Sequence, residues 1–170
     1  MLNALRKSGA RKRIARTLEA ALVTRAREPG FYAALGVPDT IDGRFDLVTL
    51  HAWLVLARLK ESGDTQLSQA FIDAVFIGFD EALRDLGSGD MGIGRRLKAM
   101  ANAFYGRLAA YEAAADEATM AEALIRNVYR GATGIESEAK SLAHYVFAAR
   151  NKLKASNLSR GEADFGALPQ

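Results

Sequence analysis

The sequence predicts an all-α fold: a single compact domain of five or six main helices, with a basic N-terminal helical arm. Apolar residues recur three and four positions apart along almost the whole chain, and no segment alternates in the manner of a strand. Helix-capping and helix-ending residues separate these periodic segments. The 170 residues, 49% of them hydrophobic, are enough to bury one core.

Composition divides the chain into three parts. Residues 1–28 form a basic amphipathic arm, residues 29–155 form the helical domain, and residues 156–170 form a tail expected to be loose because it has few apolar side chains. The arm carries a net charge of +6, whereas the whole chain carries +3. Its candidate residues for binding a ribosome or an anionic membrane surface are Arg6, Lys7, Arg11, Lys12, Arg13 and Arg16. The alternative is a solvated terminus without function.

The first half of the domain contains a short helix, a loop and two long helices. Residues 31–35 predict the short helix, and the aspartates and glycine of residues 39–46 predict the loop. Residues 47–59 are apolar nearly all round, which predicts a buried central helix. After Gly63, Asp64 or Thr65 can cap a second long helix.

Three further helices follow in the second half. Residues 93–111 have helical periodicity, and residues 137–155 predict the last helix. Between them, Thr119 and Glu122 match a capping box that predicts a helix start.

A glycine-rich turn separates the two helices that flank residues 87–92. Gly87, Gly89 and Gly92 fit the dinucleotide-binding pattern G-x-G-x-x-G, but a helix precedes them where that site needs a strand. Asp90 also places a carboxylate where a phosphate would bind. We therefore interpret the stretch as a tight turn, in which Gly87 ends one helix, Asp90 starts the next, and Gly92 and Gly94 permit close packing.

The sequence contains little catalytic or metal-binding chemistry. Having no cysteine, it excludes disulfides and thiolate metal sites. His51 is interpreted as a hydrogen-bonded core residue and His144 as a surface residue. Asp39, Asp42 and His51 form the best candidate acid–base cluster, although turns and helix caps explain the aspartates more simply. We predict no catalytic residue, no cofactor, no metal and no transmembrane segment.

Three segments carry a recognisable family pattern: VPDTIDGRFDLVTLHAWLVLARL (residues 37–59), the aromatic and acidic residues 71–80, and LRDLGSGDMGIGRRLKAMANAFYGRLAAY (residues 83–111). On these segments, and over residues 31–150 in general, the chain resembles the ubiquinol–cytochrome c chaperone family. Without a long leader it resembles a bacterial-type member.

The resemblance implies an assembly factor for the cytochrome bc1 complex rather than an enzyme. Mitochondrial relatives receive newly made cytochrome b near the ribosomal exit tunnel and act with a small partner protein, whose counterpart this sequence does not identify. No DNA partner is implied. The expected location is the cytoplasm, with peripheral contact at the inner face of the cytoplasmic membrane. The mitochondrial matrix is the alternative, because an arginine-rich start also suits a transit peptide.

We expect a client helix to bind in an apolar groove near the glycine turn. The candidate client-binding residues are Trp53, Phe104, Gly87, Gly89 and Gly92. The competing hypothesis is a ribosome- or RNA-binding helical module without client contact, whose basic surface extends to Arg95, Arg96 and Lys98 on another helix.

Overall fold

Seven α-helices make up the computed structural model, which describes residues 2–87 and 90–168, with the side chains of residues 2–5, 90 and 91 left out of the description. The helices are α1 (Leu2–Ala26), α2 (Pro29–Ala33), α3 (Ile41–Ser62), α4 (Thr65–Asp85), α5 (Asp90–Ala113), α6 (Glu117–Asn127) and α7 (Glu136–Ala155), followed by a 3₁₀ turn at Leu158–Arg160. No strand occurs in the described part of the chain. The predicted all-α single domain is confirmed.

Helix α3 is the centre of the domain. It contacts α1, α4, α5 and α7, and residues such as Leu50, Leu54 and Val55 are fully buried. The α1–α4 pair lies against α3, and α6 packs on α7. This central position explains why residues 47–59 are apolar on all sides.

The start of α3 differs from the predicted loop at residues 39–46. The helix begins at Ile41, and the hydroxyl of Thr40 caps it by accepting a hydrogen bond from the Gly43 amide at 3.1 Å. The carbonyl oxygen of Pro38 occupies the position that a Cβ on Gly43 would need. The glycine that suggested a turn is therefore required inside the first turn of a helix.

The start of α6 also corrects the sequence prediction. The capping box consists of Asp116 and Thr119 rather than Thr119 and Glu122, and α6 begins at Glu117. The Asp116 carboxylate accepts a hydrogen bond from the Thr119 amide at 2.8 Å, and the Thr119 hydroxyl accepts one from the Asp116 amide at 3.2 Å. Thr119 thus occupies the third helical position and not the cap.

Helix α1 packs one face onto the domain. Leu18 and Leu22 are fully buried against the common core, and α1 contacts both α3 and α4. Lys12, Arg13 and Arg16 are exposed on the other face.

The segment after α7 lies against the domain, which corrects the expectation of a loose tail for residues 158–168. Leu158 and Phe165 belong to the hydrophobic core. Arg25 in α1 donates a hydrogen bond from Nη2 to the carbonyl oxygen of Gly166 at 2.7 Å. Two buried apolar side chains and this charge-assisted hydrogen bond hold the segment in place.

Candidate binding groove

A shallow apolar groove of about 250 Å³ lies between α3 and α5. Its lining residues are Trp53, Leu56, Ala57 and Lys60 from α3, and Leu108, Ala109 and Glu112 from α5. Lys60 and Glu112 form an ion pair with a nitrogen–oxygen distance of 2.8 Å. The remaining five residues present apolar surface, so the groove suits an apolar ligand rather than a charged one.

Trp53 is fixed in the groove wall by contacts with α5. Its ring lies 5.8 Å from that of Tyr111, and its Nε1 donates a hydrogen bond to Glu112 at 3.3 Å. The hydrogen bond from Lys60 is the main reason that the pKa of Glu112 lies below its usual value. Trp53 is 3% exposed, so its accessibility depends on where α5 sits.

Phe104 does not line the groove. It is fully buried and contacts Phe76, Phe79 and Tyr105 in an aromatic cluster between α4 and α5. Trp53 and Phe104 thus lie in different surroundings, and a client could reach Phe104 only if the core opened.

The glycine turn ends α4 as the sequence predicts. Gly87 has a left-handed φ of +76° and donates a backbone hydrogen bond to Arg84 at 2.9 Å. Gly89 lies outside the described residues. A Cβ on Gly92 or Gly94 would meet no described atom within 4 Å, so the expected close packing at these two glycines is wrong.

Sequence analysis missed a buried ion cluster next to the groove. Asp46, assigned to a loop, lies in α3 and is fully buried, with Arg107 Nη2 2.9 Å from Oδ1 and Arg130 Nη2 3.1 Å from Oδ2. Burial raises the pKa of Asp46 to about 6, against the opposing effect of the two guanidinium groups. Asp46 precedes Leu50 by four residues, a spacing that places it on the core face once α3 is known to start earlier.

The histidines lie where the sequence places them. His51 is fully buried, with Nδ1 2.8 Å from the Leu47 carbonyl oxygen and Nε2 2.8 Å from the Tyr145 hydroxyl. Burial lowers the pKa of His51 to about 4. His144 is exposed and lies 3.1 Å from Glu117.

The candidate acid–base cluster is not assembled. Asp39 pairs with Arg44 at 2.8 Å on the surface, and Asp42 lies 3.4 Å from Arg130. Neither carboxylate contacts His51, which is enclosed by Phe31, Tyr145 and Phe165.

The described residues contain neither a metal-binding cluster nor a membrane-spanning helix. Within them, no group of three or more histidine, aspartate or glutamate side chains is placed to hold a metal ion. No helix in the described part of the chain has the length and hydropathy needed to cross a bilayer.

The cations of α1 are largely exposed. Arg6, Lys7, Lys12 and Arg13 are open to solvent, whereas Arg11 is half-buried. Arg16 differs from the other cations because it forms an ion pair with Glu81 of α4, with a nitrogen–oxygen distance of 3.2 Å. Arg95, Arg96 and Lys98 are also exposed, but on α5.

Comparison with known proteins gives a family match. The sequence model of the ubiquinol-cytochrome C chaperone family matches residues 33–160, about three quarters of the chain. The chain belongs to the ubiquinol–cytochrome c chaperone family. Its structure is similar to the crystal structure of the Cbp3 homolog from Brucella abortus, with a TM-score of 0.84, 35% sequence identity, and 100% of this chain and 99% of that chain covered. No curated protein matches the chain significantly.

Family membership and the structural match indicate an assembly chaperone for the cytochrome bc1 complex. The part of the chaperone that matches the family contains both the α3–α5 groove and the Asp46 cluster. The exposed cations of α1 precede it.

Proposed function

We propose that this chaperone binds newly made cytochrome b during bc1 assembly and catalyses no reaction. The observation that carries the proposal is the family match over residues 33–160. The α3–α5 groove supports it, because its surface is apolar apart from the Lys60–Glu112 pair. A client that is a membrane protein must keep its apolar helices out of water before insertion.

The groove suits an apolar helix of the client. Ala57 and Ala109 line the groove with small side chains. Gly106 lies one turn before Ala109 on α5 and is exposed, and a Cβ placed on it would meet no described atom within 4 Å. Small residues let two helix backbones approach closely, as they do between transmembrane helices. Trp53 lies in the groove wall but is 3% exposed, so it would add apolar surface for a client only where α5 moves aside.

The glycine turn would contact a different part of the same client. Gly92 and Ala109 are both in α5, and at 1.5 Å per residue they are about 25 Å apart along the helix axis. In this proposal Trp53 binds one client segment, while Gly87, Gly89 and Gly92 contact another. Phe104 would act on client binding indirectly, because it packs α5 against α4.

The groove is tested by filling it. Ala109→Phe places a ring over the exposed groove wall without touching the core, so we expect the protein to fold normally and to recover about tenfold less cytochrome b. The matched control is Ala148→Phe, at an exposed alanine of α7. The measurement is co-purified cytochrome b and the level of assembled bc1 complex in a deletion strain that expresses each variant.

Equal cytochrome b recovery and equal bc1 levels for the two variants would contradict client binding in this groove. Normal bc1 levels in the deletion strain without any complementing gene would contradict the assembly function itself.

The basic face of α1 is proposed to bind a phosphate-rich surface at the site of cytochrome b synthesis. Its exposed cations favour ribosomal RNA or an anionic membrane. This proposal places the chaperone at the inner face of the cytoplasmic membrane. A ribosome- or RNA-binding module without client contact is the competing function, and it predicts that filling the groove has no effect.

A further inference from the structure

Asp46 connects three elements of the domain through one buried carboxylate. It lies on α3, Arg107 lies on α5, and Arg130 lies in the connection between α6 and α7, each cation within 3.1 Å of one of its oxygens. Arg130 has a φ of +54°, a left-handed conformation that residues with a side chain rarely adopt. The backbone is therefore held in an unfavourable conformation where Arg130 reaches Asp46.

The cluster is poorly satisfied for a purely stabilising feature. The Oδ1 atom of Asp46 has Arg107 nearby without hydrogen-bond geometry. Arg107 Nε and the Tyr111 hydroxyl are also buried and have no hydrogen-bond partner among the described residues. Buried polar atoms without partners lower stability, and a buried ion pair is often no more stable than an apolar replacement.

The cluster and the groove share the same pair of helices. Arg107 directly precedes Leu108, which lines the groove, and Asp46 lies about two turns before Trp53 on α3. The Tyr111 ring of α5 packs on the Trp53 ring of α3. Any movement of α5 away from Asp46 therefore also moves Tyr111 and Glu112, which contact Trp53 from α5. Arg150 of α7 lies over the same ring, 5.8 Å from its centroid.

We infer that Asp46 is a positioning residue, whose ionised carboxylate holds Arg107 and thereby fixes α5 against α3 along the client-binding groove. This inference deepens the proposed function, because the groove is the proposed client site. It explains why a carboxylate that is costly to bury occupies the centre of the domain: it sets the groove geometry rather than adding stability.

The charge on Asp46 can be removed by mild acid. Arg107 and Tyr111 face Asp46 from α5, Arg130 faces it from the α6–α7 connection, and Asp42 is its charged neighbour on α3. Burial raises the pKa of Asp46 to about 6, so on acidification this carboxylate takes up a proton at a higher pH than aspartates usually do. Protonation leaves Arg107 without its counter-charge, and α5 is then held less firmly.

Trp53 is the single tryptophan of the chain, so its fluorescence reports on the groove without labelling. The test compares acrylamide quenching of Trp53 in the wild-type protein, in Asp46→Asn and in the control Asp39→Asn, without client, at about pH 7.5. Asp39→Asn removes an exposed carboxylate that pairs with Arg44. We expect a roughly twofold larger quenching constant for Asp46→Asn, because local opening of α5 exposes the ring, and no change for the control.

A second destabilised variant separates positioning from ordinary stabilisation. Asp46→Asn leaves the buried Arg107 guanidinium without its counter-charge, so this variant is expected to melt below the wild type. Leu18→Ala, in the α1 core, is also expected to melt at a lower temperature, but without a change in quenching. Unchanged quenching in Asp46→Asn would overturn the inference. So would an equal rise in quenching in Leu18→Ala, because exposure of Trp53 would then follow any loss of stability.

Acidification provides a second measurement on the unmodified protein. Wild-type quenching is expected to rise to the Asp46→Asn value between about pH 7.5 and about pH 5, while the variant shows no such step. A step of equal size in both proteins would assign it to another group and overturn the inference.

These measurements contain no cytochrome b, so they do not depend on what the groove binds. If Ala109→Phe leaves client recovery unchanged while Asp46→Asn alters quenching, the client proposal fails and the positioning role stands.

Discussion

Gly43 lies in the first turn of α3, where the Pro38 carbonyl oxygen fills the space that a Cβ would need. A sequence in which glycine follows aspartate is typical of a turn, and the close approach of Pro38 depends on the path of the chain between the two residues. This is why residues 39–46 look like a loop in the sequence and form a helix start in the structure.

Substitution at this glycine gives a residue-scale prediction. Gly43→Ala is expected to destabilise the protein by about 2 kcal/mol, because Pro38 or α3 must shift, and so to lower the melting temperature by roughly 4–8 °C. The control is Gly106→Ala in α5, where the added methyl meets no described atom within 4 Å. That variant is expected to gain about 0.5–1 kcal/mol from higher helix propensity. Equal thermal shifts for the two variants would refute the assigned contact.

Asp46 and His51 show what single residues in a sequence reveal. His51 stands among continuous apolar residues, which predicts burial with a hydrogen bond, and both are confirmed. Asp46 could not be identified in the same way, because it had been placed in a loop, where aspartates are common. Its partners Arg107 and Arg130 are 61 and 84 positions away, and no local pattern connects them.

Helix starts were the least predictable features at the scale of elements. At α4 the expected cap is confirmed, since Asp64 accepts a hydrogen bond from the Leu67 amide at 2.9 Å. At α6 the pattern Thr119-x-x-Glu122 competed with the pattern that starts at Asp116, and the earlier one forms the cap. Both patterns satisfy the spacing rule, so propensity alone does not choose between them.

Helix α1 supports an element-scale prediction about its exposed charge. The double variant Arg6→Glu with Arg13→Glu reverses two exposed cations on the face away from the buried Leu18 and is expected to fold normally. Association with the phosphate-rich surface should fall at least about tenfold at low salt. Each cation that contacts a phosphate releases counterions, and the two substitutions remove this favourable contribution to binding.

The measurement is co-sedimentation with ribosomes in one arm and with anionic phospholipid vesicles in the other. The control reverses Lys140 and Lys154, two exposed cations of α7. An equal loss in the control would indicate a general charge effect, and unchanged binding of the α1 variant to both surfaces would leave α1 a solvated helix.

At the scale of the whole molecule, the fold class follows from apolar periodicity, whereas the groove does not. Periodicity identifies which face of each helix is buried, and this sufficed for a single all-helical domain. The groove depends on how α3 pairs with α5, about fifty residues later, and on Trp53 being covered by Tyr111 and Glu112. Such pairing is set by tertiary packing.

Two buried groups give the molecule opposing responses to acid. The pKa of His51 is lowered to about 4, so between about pH 6.5 and 4 the unfolded chain binds more protons, and stability falls as pH falls. The pKa of Asp46 is raised to about 6, so between about pH 4 and 6 the folded protein binds more protons, and stability rises as pH falls.

Each contribution is about 3 kcal/mol at most, so the two nearly cancel in the wild-type protein. Acidification from about pH 6.5 to about pH 4 is therefore expected to destabilise Asp46→Asn more steeply than wild type, and His51→Gln less steeply. Urea unfolding of the three proteins across this range measures the difference. Parallel stability curves for all three would show that neither group titrates differently on folding.

The hydrogen bond from Arg25 to Gly166 has a consequence for the order of events during translation. Its two partners are 141 positions apart, so ribosomes must add most of the chain after α1 has emerged before α1 finds this contact. The same arginine also donates to Tyr145, the hydroxyl partner of His51. Until residue 166 has left the ribosome, Arg25 therefore lacks this hydrogen-bond acceptor, although α1 can already pack on α3 and α4.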